Sequence, residues 1–177
     1  MYSLKNRVSA VFFYALMCLA VLSALNWGSS FYNRKTPKVE FSLIKVDKFG
    51  VHQYFNEEFA IVRFGLKADL HEIFDWNTHL IFAYLSVEYE GEVSKYNQVT
   101  IWDSIILRKD QSKHVIDFKN KKAKYLISDK FKQLKGKTVK VFFNWEHMPI
   151  VGVNIKNKIE VGEIQLPSQY NAIPKKR

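Results

Sequence analysis

The sequence predicts a mainly β protein, a β-sandwich tethered by one N-terminal transmembrane α-helix. Three observations lead to this fold class. A run of twenty uncharged residues lies near the N-terminus, short segments of alternating apolar and polar residues follow it, and no long helical period occurs after residue 40. In 177 residues, of which 47% are hydrophobic, there is room for one folded domain and one further element.

Residues 8–27 form the uncharged run. As a helix at about 1.5 Å per residue they span about 30 Å, the thickness of the hydrocarbon core of a bilayer. A cleaved signal peptide, with Lys5 and Arg7 as its basic region, and an uncleaved signal anchor are both open interpretations. We favour the anchor because the run is longer than the usual apolar core of about 7–15 residues in signal peptides. Basic residues also follow the run, at Arg34, Lys35 and Lys38, so charge counting alone does not orient the helix.

The strands are predicted from alternation with period two. Apolar residues occupy every second position in 62–70 and again in 139–145, while the almost continuous apolar run 80–89 predicts a central strand buried on both faces. Many short strands closely spaced along the chain favour a sandwich or barrel. The other predicted strands are 41–46, 98–102, 105–107, 114–118, 124–127 and 158–166, with turns at 47–50, 90–92, 109–112, 135–137 and Pro149.

These elements divide the chain into five parts. The predicted parts are an N-terminal tail at 1–7, the anchor helix at 8–27, a linker at 28–38, the sandwich at 39–166 and a C-terminal tail at 167–177. A domain of the size predicted for the sandwich buries roughly two thirds of its unfolded surface. It therefore does not need the membrane for a core of its own.

Recognised catalytic patterns are missing from the sequence. His71 and Glu72 lack the second histidine of a zinc-protease helix, and there is no GxSxG elbow and no phosphate-binding loop. A metal site at His71 and His79 is less favoured than two surface histidines in loops. The carboxylates around Asp75 are interpreted as turn and cap residues, and Cys18 in the apolar run is a poor nucleophile. We expect no catalytic residue, no cofactor and no metal.

A basic stretch accounts for most of the formal charge of +10. Between Lys113 and Lys140 there are ten lysines, two aspartates and interleaved aromatic residues. That mixture occurs in proteins that bind single-stranded nucleic acid, but the absence of arginine favours a solvated lysine face that touches anionic headgroups. The alternative function is therefore a membrane-tethered, lysine-rich module that binds anionic lipid or another polyanion.

Residues 68–108 carry a specific resemblance. FDWN at 74–77 is followed by FxYL at 82–85 and by NQVxxWD at 97–103, and this long composite resembles the subunit 3 family of the signal peptidase complex, accessory subunits of the endoplasmic-reticulum enzyme. The resemblance covers the anchor, the linker and the whole domain. The residues that carry it are Asp69, Leu70, Ile73, Phe74, Asp75, Trp76, Asn77, Tyr84, Leu85, Ser86, Glu88, Tyr89, Asn97, Gln98, Val99, Trp102, Asp103, Ile106, Leu107 and Arg108.

The resemblance implies a single-pass type II protein of the endoplasmic-reticulum membrane with a luminal sandwich. The sandwich would support a catalytic serine-protease subunit without contributing a catalytic residue, and the implied partners are that subunit, the other membrane subunits and the membrane lipids, not nucleic acid. Animal relatives commonly carry an N-glycosylation sequon, whereas this chain has no Asn-x-Ser/Thr. The candidate partner-contact or fold-maintaining residues are Asp69, Phe74, Asp75, Trp76, Asn77, Trp102 and Asp103.

Overall fold

The computed structural model describes residues 3–32 and 35–171. The predicted flanking residue Arg34 and parts of the predicted tails (residues 1–2 and 172–177) lie outside the described residues. Within these ranges one α-helix is followed by eight strands and two short 3-10 helices, His71–Ile73 and Gln111–Lys113. The bounds of the α-helix and the strands are α1 Leu4–Tyr32, β1 Lys38–Val51, β2 Glu58–Asp69, β3 Thr78–Tyr89, β4 Asn97–Leu107, β5 Val115–Lys122, β6 Ile127–Asp129, β7 Thr138–Pro149 and β8 Ile155–Gln165.

Helix α1 is long and apolar enough, by length and composition, to cross a membrane. Its described side chains are almost all exposed in the isolated chain, as expected for a helix whose apolar surface has no protein to cover it. The helix contains 8–27 but continues to Tyr32, so the first part of the stretch 28–38 is helical. No proline interrupts the backbone before Pro37, which explains why the helix continues past the apolar run.

Two antiparallel four-stranded sheets form the remainder of the described chain. One has the order β1-β2-β5, with β6 also paired to β2, and the other has the order β4-β3-β7-β8. A single buried cluster between them contains residues of both sheets, among them Phe64, Leu66, Leu85 and Phe143. The mainly β fold is therefore confirmed, and β3 is a central strand as predicted.

Two strand predictions need correction because of β-bulges. The turn expected at 47–50 does not form; β1 continues to Val51 with a register shift between Val46 and Lys48, which lets Phe49 enter the core. The two strands expected at 98–102 and 105–107 are one strand, β4. Its register shifts by one residue beside Leu85, so that Ile101 and Trp102 are both buried. A bulge breaks the alternation on which the sequence prediction depends.

The strand expected at 124–127 is displaced along the chain. Residues 123–125 instead cross between the sheets, since the Ala123 amide donates to Val62 O at 2.9 Å and the Lys124 amide donates to Ile101 O at 2.9 Å. Pairing with β2 resumes only at Ile127. The crossing ties the edges of the two sheets together and leaves Tyr125 and Leu126 partly exposed.

Candidate functional site at the junction of the helix and the sandwich

The last turns of α1 meet one end of the sandwich, and we call this contact the junction. Among the helix side chains that the structure describes, Ser23, Asn26 and Ser30 have reduced exposure, and they lie on one helical face together with Trp27. The Asn26 side-chain amide donates to Asn77 Oδ1 at 3.1 Å. The junction thus joins the helix to the FDWN segment, which lies about fifty residues further along the chain.

Asn77 is the centre of the junction and is 1% exposed. Its Nδ2 donates to Val151 O at 2.8 Å, and its Oδ1 accepts from the Val151 amide at 3.0 Å. The Ile150 amide also donates to Asn77 O at 2.7 Å. Every polar atom of the Asn77 side chain is therefore bonded, either to the loop between β7 and β8 or to the helix.

Asp75 stabilises the loop in which Asn77 lies. Its Oδ1 accepts from the Asn77 amide at 2.9 Å and from the Thr78 hydroxyl at 2.7 Å. These are the turn and capping bonds that the sequence predicted for this carboxylate. The bonds fix the backbone just before β3, so that the Asn77 side chain points at Val151 and Asn26.

Trp27 packs on Gly152 in the same loop. Gly152 has φ of 116°, and a Cβ placed there would collide with the Trp27 ring. Glycine is therefore needed both for the backbone conformation and for the close approach of the ring. A small cavity of about 30 Å³ remains between Trp27, Ile73 and Asn77. The helix and the sandwich are thus in close contact rather than merely linked.

The other candidate residues lie in three different environments. Trp102 is 5% exposed and packs edge-on against Phe118, so it belongs to the core. Phe74 stacks on the buried His114 ring with 4.0 Å between centroids. Trp76, in contrast, is 47% exposed, and its carbonyl accepts from Arg108 Nη1 at 2.7 Å.

Asp69 is exposed at the same end of the sandwich. Its Oδ1 accepts from the His71 amide at 3.0 Å, and the His71 ring nitrogen lies at the same distance. The backbone hydrogen bond, followed by the ring contact, lowers the pKa of the Asp69 carboxyl. His71 and His79 are both exposed, and within the described ranges no three His, Cys, Asp or Glu residues are grouped to hold a metal.

Asp103 forms an ion pair with Lys124 at the side of the sandwich. Lys124 Nζ donates to Asp103 Oδ1 at 2.7 Å, and this hydrogen bond lowers the pKa of the Asp103 carboxyl despite the opposing effect of desolvation. The pair links β4 to the segment that crosses between the sheets. The Asp103–Lys124 pair therefore holds two parts of the sandwich together.

The Asp103 pair predicts a defined pH dependence of stability. Because its pKa is lower in the folded than in the unfolded chain, the pair stabilises the fold above about pH 4, and this stabilisation is lost as the pH falls through the folded-state pKa. Asp103→Asn should lower stability at neutral pH and make the decline below about pH 4 less steep. Urea unfolding of the full chain in detergent, repeated from neutral pH to below about pH 4, measures this change in the free energy of unfolding. The exposed Asp117→Asn is the control. Equal pH profiles for the wild type and Asp103→Asn would contradict the assignment.

The basic stretch lies mainly toward the end of the sandwich opposite the junction. Lys130, Lys132, Lys135 and Lys137 all lie in the connection between β6 and β7. The junction is at the start of β3, and this connection lies near the other end of that twelve-residue strand, roughly 35 Å away. That separation is several times the Debye length of about 8 Å at physiological salt. These lysines are therefore poorly placed to bind the bilayer that α1 would cross.

This geometry defines a class of protein: a β-sandwich held by close contacts on the end of one membrane-length helix. A family model described as signal peptidase subunit matches residues 1–169. The chain therefore belongs to the signal peptidase subunit family.

Several relatives of this chain are named signal peptidase complex subunit 3. The protein of Dictyostelium discoideum is 26% identical over 170 residues, which cover 96% of this chain and 97% of the relative. The Gallus gallus protein is 33% identical and the Homo sapiens protein 31% identical, each over 162 residues that cover 86% of this chain and 87% of the relative. The similarity thus extends over the helix and the sandwich together.

Sequence reasoning identified Asp75 and Asn77 but not their partners in the junction. Asn26, Gly152 and Val151 were missed because nothing in a single sequence pairs positions so far apart. One signal was available in the sequence. Near the end of the apolar helix, polar and aromatic residues recur at helical spacing, at Ser23, Asn26, Trp27 and Ser30. That pattern indicates a face that contacts protein rather than lipid.

Proposed function

We propose that this chain is a non-catalytic accessory subunit of the signal peptidase complex. In this proposal α1 anchors it in the endoplasmic-reticulum membrane as a single-pass type II protein, and the sandwich lies in the lumen. There it braces the catalytic serine-protease subunit during cleavage of signal peptides from nascent proteins. Membership in the signal peptidase subunit family, and the name that the relatives carry, support an association with the other subunits.

The junction is the observation that carries the bracing role. A flexible linker would let the sandwich move freely over the membrane surface, whereas Asn77 and Gly152 attach it directly to the last turns of α1. A domain held in this way can keep a partner at a constant distance from the membrane. Misplacement of catalytic groups by about 1 Å can reduce a rate roughly 100-fold, so a brace is a useful contribution.

The proposed contact with the catalytic subunit uses the candidate residues that the junction and the core leave accessible. Asp69 is exposed and Phe74 is partly exposed, whereas Asp103 is engaged in its ion pair with Lys124. Asp75 and Asn77 are engaged in the junction, and Trp102 in the core, so their proposed role is to maintain the fold. Trp76 is accessible as well.

Isolation of the full chain in mild detergent from sealed microsomes tests the proposal. We expect the catalytic subunit and the other membrane subunits to co-purify. We also expect trypsin to cleave the lysine-rich sandwich only after detergent opens the vesicles. Recovery of the chain without a protease subunit, or digestion of residues 39–166 in intact vesicles, would overturn the proposal.

The lysine-rich alternative is tested with a charge variant. Replacement of Lys130, Lys132, Lys135 and Lys137 by glutamine should leave co-purification and signal-peptide processing unchanged, because these residues lie far from the junction. The fraction of a labelled preprotein that is cleaved by complexes carrying the variant measures signal-peptide processing. A loss of processing with a correctly folded variant would favour the polyanion-binding function instead.

A further inference from the structure

The junction sets the depth of one sandwich loop relative to the membrane. If α1 spans the bilayer, as the proposed function requires, residues 8–27 match the hydrocarbon thickness of about 30 Å and Trp27 lies at the interface. Trp27 packs on Gly152, and Asn26 binds Asn77. The junction therefore holds the loop between β7 and β8 at the level where the hydrocarbon core ends. It holds Trp76, next to Asn77, at the same level.

Apolar side chains are exposed at this depth. Ile150 is 63% exposed and Val153 is 60% exposed, on either side of Val151, which bonds to Asn77, and Gly152, which contacts Trp27 of α1. Trp76 adds an exposed indole directly before Asn77. Exposure alone would not identify a membrane contact, since Tyr54 and Phe55 at the opposite end of the sandwich are also exposed. Trp76, Ile150 and Val153 differ from Tyr54 and Phe55 because the junction attaches their loops to the end of α1.

A basic groove lies beside these apolar residues. His79, Leu107, Arg108 and Lys109 line an open groove of about 640 Å³, and Arg108 bonds to the Trp76 carbonyl. Arg108 and Lys109 are exposed, and neither is ion-paired among the described residues.

The carboxylates at the same end of the sandwich are engaged elsewhere. Glu72 pairs with Lys35 and Asp110 with Lys113, Asp69 lies against His71, and Asp75 accepts the hydrogen bonds of the FDWN turn. The groove thus presents two cationic side chains without an ion-pair partner among the described residues, next to exposed apolar groups.

We propose that Trp76, Ile150 and Val153 insert into the headgroup region of the bilayer that α1 crosses, while Arg108 and Lys109 contact phospholipid phosphates. Tryptophan favours this region because its ring is apolar and its N–H is polar. Lysine and arginine side chains near a bilayer surface are attracted to the phosphates of its headgroups. The orientation of the sandwich is then fixed both by the junction and by these contacts with the membrane.

The proposal is tested by fluorescence quenching of the full chain in vesicles of phosphatidylcholine and phosphatidylserine. In a Cys18→Ala background, a single cysteine at position 150 is labelled with an environment-sensitive dye and exposed to spin-labelled lipids. Position 93 is the matched control, because Val93 is also 63% exposed but lies in the loop between β3 and β4, at the opposite end. Position 16 within α1 reports whether the helix is inserted.

We expect strong quenching at position 16, several-fold stronger quenching at position 150 than at position 93, and a blue-shifted emission at 150. Quenching at 16 with none at 150 would overturn this inference and leave the proposed anchoring intact. Absence of quenching at 16 would overturn the anchoring itself, and the inference with it.

The basic groove is tested in the same vesicles. Arg108→Gln combined with Lys109→Gln should weaken the quenching at position 150, whereas Lys130→Gln combined with Lys132→Gln should not. An equal effect of the two pairs would overturn the role given to Arg108 and Lys109.

Discussion

Replacement of Asn77 by alanine is expected to separate the sandwich from the helix and to lower the free energy of unfolding by about 2 kcal/mol or more. The substitution removes the bond to Asn26 and both bonds to the Val151 backbone. The amide and carbonyl of the partly buried Val151 then lose their partners, and an unpaired buried polar group costs about 1–3 kcal/mol. In the complex we expect weaker retention of the catalytic subunit and slower signal-peptide processing.

Unfolding by urea in detergent, followed by tryptophan fluorescence, measures the loss for Asn77→Ala. Asn154→Ala is the matched control, because Asn154 is exposed in the loop that Asn77 binds. A double-mutant cycle with Asn26→Ala isolates the bond between helix and sandwich, for which a coupling of at least about 0.5 kcal/mol is expected. Equal stability of Asn77→Ala and Asn154→Ala would show that the junction contributes nothing.

Replacement of Phe143 by alanine is expected to have the largest effect on the fold itself. Phe143 is fully buried in β7 between the two sheets, and truncation of a buried phenylalanine costs about 3–5 kcal/mol. Total stabilities of domains are about 5–15 kcal/mol, so the variant should be close to unfolding at physiological temperature. The midpoint of urea unfolding of the full chain measures the loss.

The neighbouring residue provides a control for the loss at position 143. Phe142 points to the opposite face of β7, where its half-buried ring lies under the Lys158 ammonium at 4.5 Å. Phe142→Ala should therefore cost less than Phe143→Ala. If Phe143→Ala does not fold, Phe143→Leu should fold with a loss below about 1.5 kcal/mol. A larger loss for Phe142→Ala than for Phe143→Ala would contradict the orientation of β7.

The strands that sequence predicts best are those with one buried face. The alternation in 62–70 and 139–145 follows directly from the pleat, and residues such as Phe64 and Val141 are buried accordingly. The continuous apolar run 80–89 predicts a central strand, and β3 does lie between β4 and β7. Burial on both faces was also expected, but Leu80, Phe82 and Tyr84 are only partly buried. The local pattern was sufficient to place these three strands.

The remaining features depend on contacts that a single sequence does not display. The bulges in β1 and β4 depend on how each strand pairs with its neighbour, and the crossing at 123–125 depends on the edges of both sheets. In the junction, Asn26 and Asn77 are 51 positions apart. Asp75 was predicted correctly because its turn bonds are local, whereas the purpose of that turn became clear only from the fold.

The most direct test of the account measures signal-peptide cleavage by purified components. The full chain alone is incubated with a labelled preprotein in detergent–lipid micelles, in parallel with complexes assembled with and without this chain. We expect no cleavage by the chain alone, efficient cleavage by the complete complex, and reduced cleavage by the complex that lacks it. Cleavage by the chain alone, or undiminished cleavage without it, would contradict its role as a non-catalytic brace.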